Sequence, residues 1–303
     1  MSIDNKPTWS YSTYNIFKTC KRSYFYDKYW DRSPDKWKAF RLKYITNIPM
    51  LMGNTIHSII QKAILRRKNG LELMSLSDAK LILRRDFRNA YNESSKGYWR
   101  DPKKFGKKTS DTCNLFEHYY KVPEILKKAQ ESEANGIKSL ENIWNSDIWA
   151  RIMTLEKQDF MTIDDPNFPS FYLDGIKIYA VIDLAINYNG SKIIDWKTGA
   201  KNPANHTQLA IYGLYAKSEW KWKPEDIVFF LAYTQEDFEF EKIRITEEDL
   251  NQAQDIITDS YKEMQKLYNN GEPNINDFSK VDNLNICEKC KYKEICLEIK
   301  SEI

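Results

Sequence analysis

The chain has 303 residues and a mass of 36.0 kDa, well above the size at which a fold needs disulfide staples. With 42% hydrophobic residues, 29% charged residues and a mean hydropathy of -0.66, its longest apolar runs, such as IYAVIDLAI, stop short of the roughly 20 residues a membrane helix needs. A disulfide scaffold and a membrane-spanning protein are thus excluded, and a soluble globular protein is expected. The opening stretch MSIDNKPTWSYSTYN carries neither an apolar signal core nor an Arg-rich amphipathic run, so a reducing cytoplasmic setting is expected as well.

The net charge of +3 conceals an asymmetry. Residues 1–110 hold 24 Lys and Arg against 9 Asp and Glu, whereas residues 111–303 hold 22 against 34. A basic front half suits a polyanion partner. Along the chain, residues 9–30 alternate aromatic and basic types and read as a helix capped by Ser10, Ser12 or Thr13 and ending near Tyr29. Gly53 and Asn54 introduce a second helix, with Ile56, Ile59, Ile60, Ala63 and Ile64 on its apolar side, reaching about Lys68. His57 lies near its start.

Residues 75–150 read as helices with a polar break at 93–111 and behave as an inserted helical subdomain. Within this part, Arg84 to Lys108 interleaves Arg84, Arg85, Arg88, Lys103 and Lys104 with Phe87, Tyr91, Tyr98, Trp99 and Phe105. Cations for phosphates and rings for bases suit an exposed nucleic-acid strand. The competing reading is a solvated face with ordinary core aromatics.

From Thr154 to Ile245 the period changes to two, predicting strands at 154–161, 171–187, 191–198, 227–233 and 238–245, with a helix at 205–217. Thr246, with Glu248 or Asp249 nearby, caps a further helix to about Asn269. The four resulting regions are residues 1–52, 53–150, 151–245 and 246–303.

The stretch GIKIYAVIDLAINYNGSKIIDWKTG places two strand patterns around Asn189–Gly190, a strong hairpin signal. Register decides its chemistry, because a one-residue slip exchanges the faces of a strand. A two-residue loop sets Asp183 opposite Trp196. A three-residue loop of Tyr188, Asn189 and Gly190, with Gly190 left-handed in a bulge, pairs Asp183 with Asp195 and aligns the apolar faces, so that register is the expected one.

Two carboxylates inside a sheet repel each other and each resists desolvation, and a divalent cation resolves both costs. Hard oxygen donors suit magnesium or manganese, and Lys197 beside them is able to act on a water or offset phosphate charge. On the following helix Gln208 and Tyr212 stand four apart on one face, within reach of a phosphate or of Lys197.

Cys287, Cys290 and Cys296 form C-x2-C-x5-C in a polar context and read as a metal site that needs a fourth ligand. Cys20, in the aromatic run YSTYNIFKTCKRSYFYDKYW, is the chosen candidate. Cys113 reads as a small buried hydrophobe within a helix.

These blocks resemble the RecB-like nucleases of the PD-(D/E)XK superfamily, in the iron–sulfur branch that includes the AddB nuclease domain and the CRISPR-associated small exonuclease. SYSTYNIFKTCKRSY is similar to its first-cysteine block, GNTIH to its histidine motif, AVIDLAI to its first acidic motif, IIDWKTG to its D/E-x-K core and QLAIY to its Q-x3-Y motif. The C-x2-C-x5-C run follows in the same order. The resemblance spans nearly the whole chain and implies an α/β fold, an α+β restriction-endonuclease-like core with a central mixed β-sheet flanked by helices, a helical insertion and an N- and C-terminal iron–sulfur cap.

The resemblance further implies a metal-dependent DNA nuclease, an exonuclease before an endonuclease. Its magnesium or manganese ion is held by His57, Asp183, Asp195 and the main-chain carbonyl of Trp196, while Lys197 acts on water with Gln208 and Tyr212 in support. A 4Fe–4S cluster on Cys20, Cys287, Cys290 and Cys296 is implied, with zinc as the alternative. Implied partners are DNA, single-stranded or at duplex ends, and a protein partner in repair, recombination or CRISPR processing; no membrane is involved. The competing function is a non-catalytic DNA-binding or assembly module with a structural four-cysteine centre. Glu156 stands where relatives often carry Glu and is given no direct role.

Overall fold

The computed structural model describes residues 7–235 and 238–297. A two-residue strand, β1 (Trp9–Ser10), leads into helices α1 (Tyr11–Thr19) and α2 (Lys21–Lys28). Of the three candidate caps, Ser10 accepts the Thr13 N–H. The single helix expected to Tyr29 is broken at Cys20, whose extended backbone (φ -162°, ψ 114°) ends α1 and starts α2.

After α3 (Lys36–Lys43) comes α4 (Ile48–Lys68), which begins five residues before the expected Gly53. Asn47 accepts the Met50 N–H, and Pro49 occupies the first turn, where no ladder donor is needed. Gly53 is therefore interior to the helix, and its role is spatial. A Cβ there would lie 2.8 Å from Thr198 Oγ1, so glycine lets α4 approach the end of the D-x-K strand.

The helical segment follows as α5 (Leu76–Ser95), α6 (Phe116–Tyr119), α7 (Ile125–Trp144) and α8 (Asp147–Ile152), with short 3-10 turns across the polar break. Cys113 departs from expectation, standing in extended chain ahead of α6 rather than in a helix. The strand expected at 154–161 also shifts. Glu156 and Asp159 cap a 3-10 turn reciprocally and divert backbone N–H groups from a ladder, so β2 (Phe160–Ile163) starts late.

The run expected as one strand over 171–187 is three strands in two sheets: β3 (Ser170–Leu173), β4 (Ile176–Tyr179) and β5 (Leu184–Asn187). Asp174 and Gly175, both at positive φ, turn β3 into β4. The chain then bends through 180–183 and enters the second sheet. β6 (Ser191–Lys197), α9 (Ala204–Glu219), β7 (Val228–Tyr233), β8 (Glu239–Ile243), α10 (Glu247–Tyr268), α11 (Leu284–Glu288) and α12 (Lys293–Cys296) complete the order. Thr246 and Asp249 form the expected capping box of α10.

The larger sheet runs β2-β5-β6-β7-β8, with β6 and β7 parallel and the other pairs antiparallel; the smaller runs β1-β4-β3. This is a mixed α/β architecture of two mixed sheets flanked by helices, consistent with a restriction-endonuclease-like core. Both faces of the larger sheet are buried. Ile193, Phe229 and Leu231 join the core under α9, α10 and the aromatic residues of α1 and α2, while Leu184, Ile194 and Trp196 join the core under α4, α5 and α7. Truncating one such side chain to Ala is expected to cost ~2–5 kcal/mol. Among the described residues, no helix is long and apolar enough to cross a membrane.

Candidate active site

The β5–β6 ladder pairs Leu184 with Ile194 and Asn187 with Ser191, leaving a three-residue loop with Asn189 (φ 48°) and Gly190 (φ 95°) left-handed. Extended by one residue, this register sets Asp183 opposite Asp195, as the loop argument requires. The ladder stops at Leu184 because the chain bends away at 180–183. The Trp196 N–H, beyond the last pairing with β5, is taken instead by Asp183 Oδ2 at 2.8 Å. The bend thus converts a strand position into a carboxylate that caps the neighbouring strand.

Asp195 is 3% exposed. Its Oδ2 lies 2.5 Å from Lys197 Nζ as an ion pair but without the angle of a hydrogen bond, which leaves a buried carboxylate oxygen with no hydrogen-bond donor. Lys197 Nζ donates to Gln208 Oε1 at 2.8 Å, and Gln208 Nε2 donates to Tyr212 Oη at 2.8 Å. Tyr212 in turn donates to the Val181 carbonyl at 2.8 Å and stands 3.4 Å from Asp195 Oδ1. The Q-x3-Y pair therefore fixes the lysine head on one side and the bend at 181 on the other.

From α4, His57 brings Nδ1 to 3.4 Å from Asp183 Oδ1. Burial alone would lower the histidine pKa, but Asp183, and behind it Asp195 and Asp164, reverse that and hold it up at about 9. Burial opposes ionisation of Asp183 too, yet His57, the Trp196 N–H and Lys197 keep its carboxyl below the usual range. Asp195 takes the opposite course: burial and then the Asp183 charge push it up to about 6 against the pull of Lys197 and His57. Burial, then the two carboxylates, raise Tyr212 far above its ordinary value, so it remains a phenol that donates.

The site opens on a cavity of about 610 Å³ bordered by Asn54, His57, Gln61, Asp164, Thr198 and Gly199. A second, of about 620 Å³, lies across Pro49, Gly53 and Thr198 and reaches Gln235 and Lys289. A third cavity of similar size, between α1 and α10, holds none of these groups.

Asp164 escapes the pattern reading. At the end of β2 its N–H reaches the carbonyls of Ile182 and Asp183, and Gln61 Nε2 holds its carbonyl at 2.6 Å. Burial and then the Asp183 charge raise its carboxyl pKa. In sequence it stands in Asp164–Asp165–Pro166–Asn167, which reads only as a turn.

Donor types suit a hard divalent ion: two carboxylates, one with a buried oxygen that accepts no hydrogen bond, and an imidazole. Their arrangement is that of ion pairs, with His57 on Asp183 and Lys197 on Asp195. Among the described residues, no group of three or more His, Cys, Asp or Glu side chains is arranged so as to hold a metal ion.

The same finding covers the cysteines. Cys20, Cys287, Cys290 and Cys296 do line one cavity of about 40 Å³, and all five cysteines are free thiols. Cys113 is elsewhere, its thiol pushed up to about 12 by burial.

Arg84 and Arg88 both pair with Glu133 on α7, and Arg85 pairs with its neighbour Asp86. Lys103 and Lys104 are exposed in a 3-10 turn. The interleaved rings divide: Phe87 is buried in the core, Tyr91 packs against His118, and Tyr98 stacks on Phe105 with centroids 3.8 Å apart. For Phe87 and Tyr91 the core reading holds. Glu156 is largely exposed and pairs with Arg67.

A family model of the PD-(D/E)XK nuclease superfamily matches residues 8–297. The chain belongs to this superfamily. No curated protein matches the chain in sequence. PD-(D/E)XK nucleases are phosphodiester hydrolases that generally use Mg2+ or Mn2+, and a nuclease domain implies DNA as substrate. The adjacency of Asp183, Asp195 and Lys197 at the end of the sheet follows from the bend and the three-residue loop.

Proposed function

We propose that this protein is a metal-dependent deoxyribonuclease, with exonuclease action favoured over endonuclease action. The observation that carries the reading is the buried Asp183–Asp195–Lys197 set at the open end of β5 and β6, beside a cavity bordered by His57. His57, Asp183, Asp195 and the Trp196 carbonyl are assigned to hold Mg2+ or Mn2+. When bound, that ion supplies Lewis acidity to a phosphate oxygen and brings water towards ionisation at neutral pH.

The remaining chemistry belongs to the chain. Lys197 Nζ, as an ammonium, donates to the oxygen of the attacking water and offsets charge on the phosphate, Gln208 orients it, and Tyr212 fixes Gln208. Asp183 keeps the Trp196 peptide in place through its N–H. Residues 151–245 act as the nuclease core, and 53–150 supply the helix of His57 and the helical insertion that contacts DNA. The four cysteines from the first and last regions fasten these ends together around a 4Fe–4S cluster, zinc being the alternative occupant. Work in repair, recombination or CRISPR processing, with a protein partner, belongs to the same proposal.

Labelled linear, end-blocked and circular DNA incubated with manganese tests the reading in wild type and Lys197→Ala. Cleavage of free ends by wild type, with only a small residual rate in Lys197→Ala, is the expected result. Equal activity in both proteins sinks the catalytic assignment, and cutting of circles moves the assignment to an endonuclease.

A further inference from the structure

Lys197 is held from two directions, only one of which belongs to the motif residues. Its ammonium is fixed by Asp195 and, from α9, by Gln208. Its backbone is fixed within the sheet, from the end of β7. The parallel β6–β7 ladder ends at Lys197 and Tyr233. Past that end, the Lys197 carbonyl accepts from Thr234 N at 2.9 Å and stands 3.3 Å from Thr234 Oγ1, and the Thr198 carbonyl accepts from Gln235 Nε2 at 2.5 Å.

Thr234 is fully buried, so its contacts with the Lys197 carbonyl meet little competition from water, whereas the Gln235–Thr198 bond lies at the exposed edge. The two-residue clamp is itself held by α7: Asn142 Nδ2 donates to the Thr234 carbonyl at 3.1 Å and to the Gln235 carbonyl at 2.9 Å. Asn142 therefore ties the helical insertion to the residues that clamp the end of β6, alongside the ring contact of Trp149 with Trp196. Thr198 and Gln235 also border the 620 Å³ cavity beside the site, so the clamp forms part of the wall next to the lysine.

We propose that Asn142 and Gln235 are positioning residues for Lys197, acting through the Lys197 and Thr198 carbonyls and tying the insertion to the reaction centre. This rests on the assignment of Lys197 to the attacking water. Neither residue touches the reacting atoms. The physical basis is geometric: a lysine head fixed at its tip by Gln208 but free at its backbone samples positions about 1 Å apart, and displacements of that size cost on the order of a hundredfold in rate.

The test uses the full chain with Asn142→Ala and Gln235→Ala, each made also in the Lys197→Ala background. The first readout needs no activity. With lysine labelled by 13C at Cε, the Lys197 signal, identified by its loss in Lys197→Ala, is expected to shift towards the free-lysine position in both variants. Alanine favours helix at 142, so loss of folding is not expected, and the melting temperature serves as the control.

In cleavage of labelled DNA with manganese, kcat is expected to fall ten- to a hundredfold with KM unchanged, and the loss to vanish in the Lys197→Ala background. An unmoved Lys197 signal, or an equal proportional loss on top of Lys197→Ala, overturns the proposal. A wild-type protein that cuts no DNA defeats the nuclease reading instead, while the spectroscopic arm still decides whether Asn142 holds the lysine.

Discussion

Asp183 Oδ2 accepts the Trp196 N–H at 2.8 Å, from one residue beyond the last paired position on β5 to two residues beyond it on β6. The carboxylate thus has a structural duty separable from its charge. Asp183→Asn keeps an acceptor, whereas Asp183→Ala orphans the N–H. Both are expected to abolish cleavage. Alanine is expected to be less stable than asparagine by about 1–3 kcal/mol, the cost of an unsatisfied buried donor. Urea melts of the two metal-free variants check this, and equal midpoints would show that the bond contributes nothing.

Despite burial, His57 carries a pKa raised to about 9 by Asp183 and the carboxylates behind it, against an ordinary 6.5. A raised folded-state value contributes stability that is complete below the unfolded pKa and is lost as pH rises through the folded one. The melting-temperature gap between metal-free wild type and His57→Gln is therefore expected to be full at about pH 5.5, one unit below the ordinary value, and to close by about pH 10. A metal needs the neutral ring, so binding of Mn2+ at pH 7 is expected to release close to one proton per ion. Calorimetry in two buffers of different ionisation enthalpy measures this, and release of no proton would remove His57 from the ligand set.

Asp195 pays the cost of the site. With its carboxyl raised to about 6 by burial and by Asp183, it contributes stability only below the ordinary carboxylate range and loses it as pH rises through 6. Asp195→Asn removes the repulsion without removing volume. It is expected to melt a few degrees above wild type in chelator at pH 8 while losing cleavage. Added Mn2+ is expected to raise the wild-type midpoint and leave that of the variant unchanged.

Which of these relationships can be read from sequence depends on whether a local pattern encodes them. The Asp183–Asp195 register is legible because the loop residues Asn189 and Gly190 and the apolar alternation select the same pairing. The bend at 180–183 is not. Ile176, Ile178, Ala180, Ile182, Leu184 and Ile186 alternate without a break, yet Ile182 enters one core and Leu184 the other. A strand crossing between two buried layers keeps its pattern, because both destinations are apolar. Asp164 and Asn142 are invisible for a different reason: a turn aspartate and a helix-surface amide gain their roles only from contacts more than 10 residues distant in sequence.

Gly53 tests how closely α4 must approach the catalytic strand. An added Cβ would stand 2.8 Å from Thr198 Oγ1, a distance real Cβ atoms do not show. Gly53→Ala is expected to displace the turn after Lys197 and reduce kcat. Thr198→Ala removes the clashing hydroxyl, so the double variant is expected to recover activity and, through helix propensity, to gain up to ~1 kcal/mol of stability over Thr198→Ala. Failure of the second change to restore cleavage would place the harm elsewhere than in this contact.

The basic face divides by ion pairing. Arg84 and Arg88 are engaged by Glu133, while Lys103 and Lys104 are exposed. A cation already neutralised within the protein releases fewer counterions from DNA when it binds, because its charge is shared. Lys103→Ala with Lys104→Ala is accordingly expected to weaken DNA binding across all sequences and to flatten the dependence of log K on log salt by about 1–2. Arg88→Ala is expected to change that slope less and to lower stability instead, since it leaves Glu133, largely buried, with one cation fewer. Fluorescence anisotropy of a labelled oligonucleotide across a salt series separates the two. A larger slope change for Arg88→Ala than for the lysine pair would place the DNA on the α5 face and not on the 3-10 turn.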